Sequence, residues 1–128
     1  MIQNNQSAVY RQALNKTFVN AFNGIQYFFK NERNGKIQLF VSFFVLLTAF
    51  YLRLSPTEWV FIFLCIGAVL AMEMLNSALE HLCNMVHHDY HPAIKIIKDI
   101  SAGAVLFASI ISVLIGVIIF LPKILSLL

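Results

Sequence analysis

The sequence predicts an all-α membrane protein, with an N-terminal amphipathic surface helix and three transmembrane helices in a single domain of residues 1–128. The chain has 128 residues, of which 59% are hydrophobic and only 12% are charged. A chain this small cannot hide so much apolar surface in a core that faces water. Three long apolar runs account for the excess, because about 20 apolar residues are enough to span a bilayer.

The surface helix is predicted at about residues 9–30. Its apolar residues recur every three to four positions, while polar residues such as Lys16 and Asn20 occupy other faces. The apolar set consists of Tyr10, Leu14, Phe18, Phe22, Ile25 and Phe29. One aromatic, apolar side on a helix is typical of a segment that lies in the membrane interface.

The three transmembrane helices are predicted at about residues 37–54, 57–86 and 95–121. Each contains an uncharged run, and the second continues through a polar segment to about Val86. A polar turn at residues 31–36 should connect the surface helix to the first span. Ser55 or Thr57 is expected to cap the second span. Pro92 suits the start of the third helix, after a break at residues 87–91.

Positive charge is distributed unevenly around these spans. Of nine Lys and Arg residues, five precede the first span and two lie between the second and third. The remaining two, Arg53 and Lys123, fall on the opposite side. By the positive-inside rule, the N-terminus and the second loop are expected in the cytoplasm.

The segment Glu73–Glu80 is the place to look for chemistry. Two carboxylates seven residues apart lie on nearly the same face of a helix, and Asn76, Ser77 and Asn84 extend that face. Polar residues can simply join transmembrane helices through hydrogen bonds. Two like charges at this depth need protons, a metal or other cations to be tolerated, which favours a functional site.

Two further groups of residues have alternative interpretations. Lys98 and Asp99 open the third span, where a cation and helix N–H groups suit a phosphate. The same segment is also consistent with an ordinary helix start followed by a small-residue packing face. Cys83, His87 and His91 have helical spacing that could suggest zinc. The expected helix break between them favours loop histidines instead.

These residues together resemble the signature of the prokaryotic diacylglycerol kinase and undecaprenol kinase family. The motifs are Glu73-x-x-Asn76-Ser77-Ala78-x-Glu80, then Tyr90-His91-Pro92, then Lys98-Asp99-x-x-Ala102-Gly103-Ala104-Val105. Gly24 and Glu32-Arg33-Asn34 also match, so the resemblance extends from about residue 15 to 115. There are three departures: Asn84 replaces the usual Asp, Gln38 a more usual His or Glu, and Gln26 an Arg found in Gram-negative diacylglycerol kinases.

The resemblance implies a homotrimeric enzyme of the bacterial inner membrane that uses ATP and Mg²⁺ to phosphorylate a lipid hydroxyl. It implies that Glu73 is the catalytic base and that Glu32 and Glu80 hold the metal. Asn76, Ser77 and Ala102 would support the base or the substrate. The implied nucleotide contacts are Asn20, Glu32, Glu80, Asp89, Tyr90, His91, Lys98 and Asp99.

The identity of the lipid is less constrained. Tyr90-His91-Pro92 followed by Lys95 and Lys98 is similar to the undecaprenol kinase branch, so undecaprenol is the expected acceptor and diacylglycerol the alternative. A second class of protein, a small proton-coupled exporter, can also carry one essential membrane glutamate. An exporter would not need Lys98-Asp99 or Glu32.

Overall fold

The computed structural model describes residues 2–128, with the side chains of residues 13–128. Within these residues the chain forms four α-helices in the order α1 (Ile2–Asn31), α2 (Arg33–Tyr51), α3 (Pro56–Val86) and α4 (Pro92–Leu125). The all-α fold class is therefore confirmed. Helix α1 begins at Ile2, earlier than the predicted start at about residue 9.

Helices α2, α3 and α4 are long and apolar enough to cross a membrane, and α1 is not one of the three candidate spans. Their lengths are 19, 31 and 34 residues. At 1.5 Å per residue, α3 is about 46 Å long, whereas the hydrocarbon core of a bilayer is about 30 Å thick. One end of α3 therefore extends beyond the apolar layer.

A single residue, Glu32, forms the corner between α1 and α2. Its backbone is extended, with φ −86° and ψ 129°, and its N–H donates to the carbonyl of Phe28 at 3.0 Å. The predicted polar turn at residues 31–36 is thus wrong in extent, because Arg33–Lys36 already form the first turn of α2. The sharp corner requires Gly35: a Cβ there would lie 2.8 Å from the Phe28 carbonyl oxygen.

The opposite end of the bundle is closed by a capped turn between α2 and α3. Arg53 adopts a left-handed conformation with φ 52°. Of the two candidate caps, Ser55 caps α3: its Oγ accepts from the Glu58 N–H, and Glu58 Oε2 accepts from the Ser55 N–H at 2.7 Å. Lys123 Nζ lies 3.0 Å from Glu58 Oε2, so an ion pair joins the end of α4 to the start of α3.

The helices pack through faces that repeat every seven residues. The buried residues of α2 are the small residues Gly35, Ser42 and Ala49. In α3, Ile62, Val69, Asn76 and Cys83 are buried with the same spacing. Residues seven apart lie two turns apart on one face, so α2 presents a narrow, small-residue edge to the bundle. The most extensive helix contact is between α3 and α4.

Candidate active site

The buried carboxylate of Glu73 lies at the centre of the candidate site. Glu73 is 6% exposed in α3, and two amides of α2 approach it. Asn34 Nδ2 donates to Glu73 Oε2 at 3.1 Å, and Gln38 Nε2 approaches Oε1 at the longer distance of 3.5 Å. Amide donors orient a carboxylate without supplying an opposite charge. The two amides therefore fix the position of the carboxylate.

In the sequence, Asn34 belongs to a matching motif and Gln38 is a departure from the family pattern, but neither was predicted to contact Glu73. Both belong to α2 and lie four residues apart, so they occupy one face of that helix. Two amides with this spacing at the start of an apolar span were the available signal. Their partner could not be identified from it, because Glu73 is 35 residues beyond Gln38 in the chain.

Asn76 and Ser77 lie beside Glu73 on the buried part of α3, 5% and 7% exposed. Among the side chains of residues 13–128, the Oδ1 of Asn76 is a buried oxygen without a hydrogen-bond partner. Leaving a buried acceptor unpaired costs about 1–3 kcal/mol. Such an atom suits a ligand that brings a donor, for example a hydroxyl group.

Glu32 reaches across from the corner to the end of α3. Its Oε1 lies 2.8 Å from Nε2 of His81, the residue after Glu80. Tyr27 of α1 packs edge-on against the same imidazole, with ring centroids 6.4 Å apart. The Glu32 side chain is 23% exposed, whereas Glu80 is exposed. The fold therefore brings Glu32 to the level of α3 that carries Glu80.

The carboxylates of Glu32 and Glu80 suit a magnesium ion whose remaining ligands are not protein side chains. Among the described residues, no group of three or more His, Cys, Asp and Glu side chains could hold a metal ion alone. Magnesium commonly binds through one or two carboxylates, completed by substrate phosphates and water. Glu32 and Glu80 match that requirement because they supply two carboxylates at the same end of the bundle.

Lys98 lies on α4 opposite the end of α3. Its Nζ donates to Asn84 Oδ1 at 2.8 Å, so the residue that departs from the family pattern supplies the contact. A neutral amide fixes the ammonium group without cancelling its charge. Asp99 instead pairs with Lys95, one turn earlier on α4. Lys98, whose partner is neutral, can therefore contact an anion at this end.

The remaining predicted residues are more dispersed. His91 caps α4, because its Nδ1 accepts from the N–H of Ala93 at 3.2 Å. Asp89 and Tyr90 are exposed in the α3–α4 loop, and Ala102 is exposed on α4. Asn20 is also exposed, on α1, and lies about 18 Å along the helix axis from the corner.

An apolar cleft of about 560 Å³ runs between α2, α3 and α4. Its lining includes Gln38 at one end and the apolar residues of all three helices, interrupted by Ser42, Ser109 and Ser112. Because Gln38 also contacts Glu73, the polar end of the cleft adjoins the buried carboxylate.

Comparison with known proteins identifies the family. The sequence profile of the family described as prokaryotic diacylglycerol kinase matches residues 19–120. The chain belongs to this family. It is 41% identical over 117 residues to the undecaprenol kinase of Bacillus subtilis (strain 168), covering 89% of this chain and 95% of that protein. It is 38% identical over 112 residues to a diacylglycerol kinase of Synechocystis sp., covering 87% of this chain and 64% of that protein.

Membership of the prokaryotic diacylglycerol kinase family establishes the class of protein. The chain is a membrane-bound enzyme, a lipid kinase, and therefore a transferase of lipid metabolism. The choice between an enzyme and a small exporter is decided in favour of the enzyme. The three apolar helices agree with an enzyme that works on a membrane lipid.

Proposed function

We propose that the protein transfers the γ-phosphoryl group of ATP to the hydroxyl group of undecaprenol, with Mg²⁺ as the required cation. One observation carries the proposal: a carboxylate buried in a membrane helix lies at the same end of the bundle as two further carboxylates and a lysine. A phosphoryl transfer needs a group to accept the hydroxyl proton, a divalent ion and positioned phosphates. In this proposal Glu73 accepts the proton, and Glu32 and Glu80 bind the divalent ion. Lys98 contacts the phosphates.

Glu73 is the proposed general base. Its carboxylate is held by two neutral amides, Asn34 and Gln38, and keeps lone pairs for the proton of the acceptor hydroxyl. The unpartnered Oδ1 of Asn76 is the proposed second contact for the incoming lipid. Ser77 and Ala102 are also assigned to the part of the site that binds the lipid in this proposal. The lipid approaches from the bilayer and ATP from water.

Glu32 and Glu80 are the proposed ligands of Mg²⁺ together with the nucleotide phosphates. When bound, the ion neutralises charge on those phosphates. Lys98, held by Asn84, is positioned to contact the polyphosphate. We assign Asp89, Tyr90, His91 and Asp99 to the border of the nucleotide pocket on the strength of the family motif.

Undecaprenol is the preferred acceptor for two reasons. The relative named undecaprenol kinase is matched over 95% of its length, whereas 64% of the diacylglycerol kinase is matched. The motif Tyr90-His91-Pro92, followed by Lys95 and Lys98, is also similar to the undecaprenol kinase branch. The apolar cleft that begins at Gln38 suits the hydrocarbon chains of either lipid. Diacylglycerol is the second candidate, because a relative with that named activity is 38% identical.

The proposed working form is a homotrimer in the bacterial inner membrane, with the N-terminus, the amphipathic α1 and the active site on the cytoplasmic side. The excess of Lys and Arg before α2 and between α3 and α4 supports that orientation. The exposed position of Asn20 within one chain supports completion of the site by a second subunit.

The test is a transfer assay with the purified full chain in detergent. Radiolabelled ATP is offered with undecaprenol or diacylglycerol, with Mg²⁺ or with a chelator, and the extracted lipids are separated. We expect label in undecaprenyl phosphate, little in phosphatidic acid and none without a divalent ion. Preferential labelling of phosphatidic acid would reverse the substrate assignment. Equal transfer in the chelator would remove the metal from the proposal.

A further inference from the structure

The contact between His81 and Glu32 links the α1–α2 corner to the C-terminal part of α3. The two residues are 49 positions apart in the chain, and Nε2 of the imidazole lies 2.8 Å from Oε1 of the carboxylate. This distance is that of a well-formed hydrogen bond. The contact therefore joins the corner directly to α3.

Glu32 needs such a partner because of where it sits. It is the single extended residue between two helices, and its side chain makes no capping hydrogen bond to α2. A free glutamate side chain samples many rotamers, and immobilising it costs conformational entropy. A donor that occupies Oε1 selects one orientation and leaves Oε2 free.

The imidazole is itself held from a second direction. Tyr27 of α1 packs edge-on against the His81 ring, at an interplanar angle of 69°. The ring thus contacts both α1 and the carboxylate of the corner. Tyr27, His81 and Glu32 form a connected set that fixes how the corner sits over the end of α3.

We propose that His81 is a positioning residue for the metal-binding carboxylate: its Nε2–H holds Oε1 of Glu32 so that Oε2 faces the Mg²⁺–nucleotide site. This inference rests on the proposed function, because it takes Glu32 as a metal ligand. His81 itself touches neither the nucleotide nor the lipid. Its contribution is to preorganise Glu32 before the cation arrives.

The competing explanation is that His81 and Glu32 form a surface ion pair with no role in metal binding. The His81 side chain is 55% exposed, and exposed ion pairs often contribute little to stability. The two explanations differ in which measurement changes. A positioning residue alters metal and nucleotide affinity through Glu32, whereas an inconsequential pair alters nothing once the protein is folded.

The experiment measures cation binding and turnover in the full-length enzyme in detergent. Mn²⁺ is the probe for the metal, and electron paramagnetic resonance measures free Mn²⁺ in the presence of ADP, without any transfer reaction. The variants are His81→Ala, Glu32→Gln and the combination of the two. His81→Gln retains a side-chain donor. Met85→Ala is the matched control, because Met85 lies one turn further along α3 and is 74% exposed.

We expect His81→Ala to weaken Mn²⁺ binding and to raise the half-saturating Mg²⁺ concentration by about threefold to tenfold, as for a partly exposed, charge-assisted hydrogen bond. The kcat at saturating Mg²⁺ and the lipid requirement should remain close to those of the unaltered enzyme. His81→Gln should recover most of the loss, and Met85→Ala should show none. In the Glu32→Gln background, His81→Ala should add nothing further.

Three results would overturn the inference. An equal loss from His81→Ala with and without Glu32 would mean that His81 acts through the general structure. Unchanged Mn²⁺ binding in His81→Ala, together with impaired binding in Glu32→Gln, would leave Glu32 in the site and remove His81. Unchanged binding in Glu32→Gln itself would refute the proposed role of Glu32, and the inference with it.

Discussion

Replacing Gly35 with alanine tests whether the single-residue corner positions the candidate site. The added Cβ would lie 2.8 Å from the Phe28 carbonyl oxygen and 3.0 Å from Phe28 Cε1. Ordinary van der Waals contacts are longer by about 0.5 Å or more, so α1 and α2 must separate by roughly that amount. Overpacking of this kind costs about 1–3 kcal/mol, offset by about 1 kcal/mol of helix propensity gained in Gly35→Ala.

The expected effect on activity exceeds the effect on stability. The corner carries Glu32, and the neighbouring Asn34 donates to Glu73 at 3.1 Å. A displacement of about half an ångström would take that contact to the limit of a hydrogen bond. Because a misplacement of 1 Å can cost about 10²-fold in rate, Gly35→Ala should lower kcat/KM by roughly tenfold.

The assay combines steady-state transfer to undecaprenol with thermal unfolding in detergent, monitored by intrinsic fluorescence. Gly67→Ala is the matched control, since an added Cβ at Gly67 meets nothing within 4 Å in the folded chain. We expect Gly67→Ala to retain activity and a similar unfolding temperature. If Gly35→Ala behaves like that control in both measurements, the corner does not position the site and the reasoning fails.

Four further predictions concern individual contacts of the site. Glu73→Gln should lower kcat by roughly 10²–10⁴-fold with nucleotide binding retained, and near-normal turnover would exclude a general base there. Asn34→Leu should lower kcat by roughly tenfold with little change in the half-saturating ATP concentration, because it removes a donor to the base and not to the nucleotide. Asn84→Leu should raise the half-saturating ATP concentration several-fold, because it removes the acceptor that holds Lys98. Asn84→Asp keeps an acceptor and should not raise it, and equal effects of the two variants would contradict this role of Asn84. Co-assembled Glu73→Gln and Asn20→Leu subunits, each inactive alone, should regain part of the activity if Asn20 reaches the site from a second subunit, and no recovery in verified mixed trimers would argue against that assignment.

Sequence periodicity located α2, α3 and α4, but neither the start of α1 nor the corner. Apolar runs and turn chemistry predicted where α2, α3 and α4 occur, because those signals are local. The break at Glu32 was predicted too long, since its compactness depends on the close approach of Gly35 to Phe28. That contact is tertiary and leaves no periodic signal.

The same difference between local signals and tertiary contacts holds for the candidate site. The burial of Glu73, Asn76 and Ser77 follows from their shared helix face, which the sequence displays directly. The donors Asn34 and Gln38 belong to another helix and contact Glu73 across 39 and 35 positions. A single sequence shows that such residues are polar, but it does not show which residues they contact.

The depth of Glu73 along α3 makes the thickness of the bilayer a variable of the reaction. Glu73 lies 17 residues after Pro56, where α3 begins, which is about 26 Å along the helix axis. With Pro56 at one boundary of a hydrocarbon layer about 30 Å thick, the carboxylate lies a few ångströms inside the other boundary. A lipid hydroxyl anchored at that boundary descends only slightly to reach it. Each ångström added to the bilayer lengthens the descent, and each ångström removed brings Glu73 closer to water, so the host membrane sets the working distance between base and acceptor.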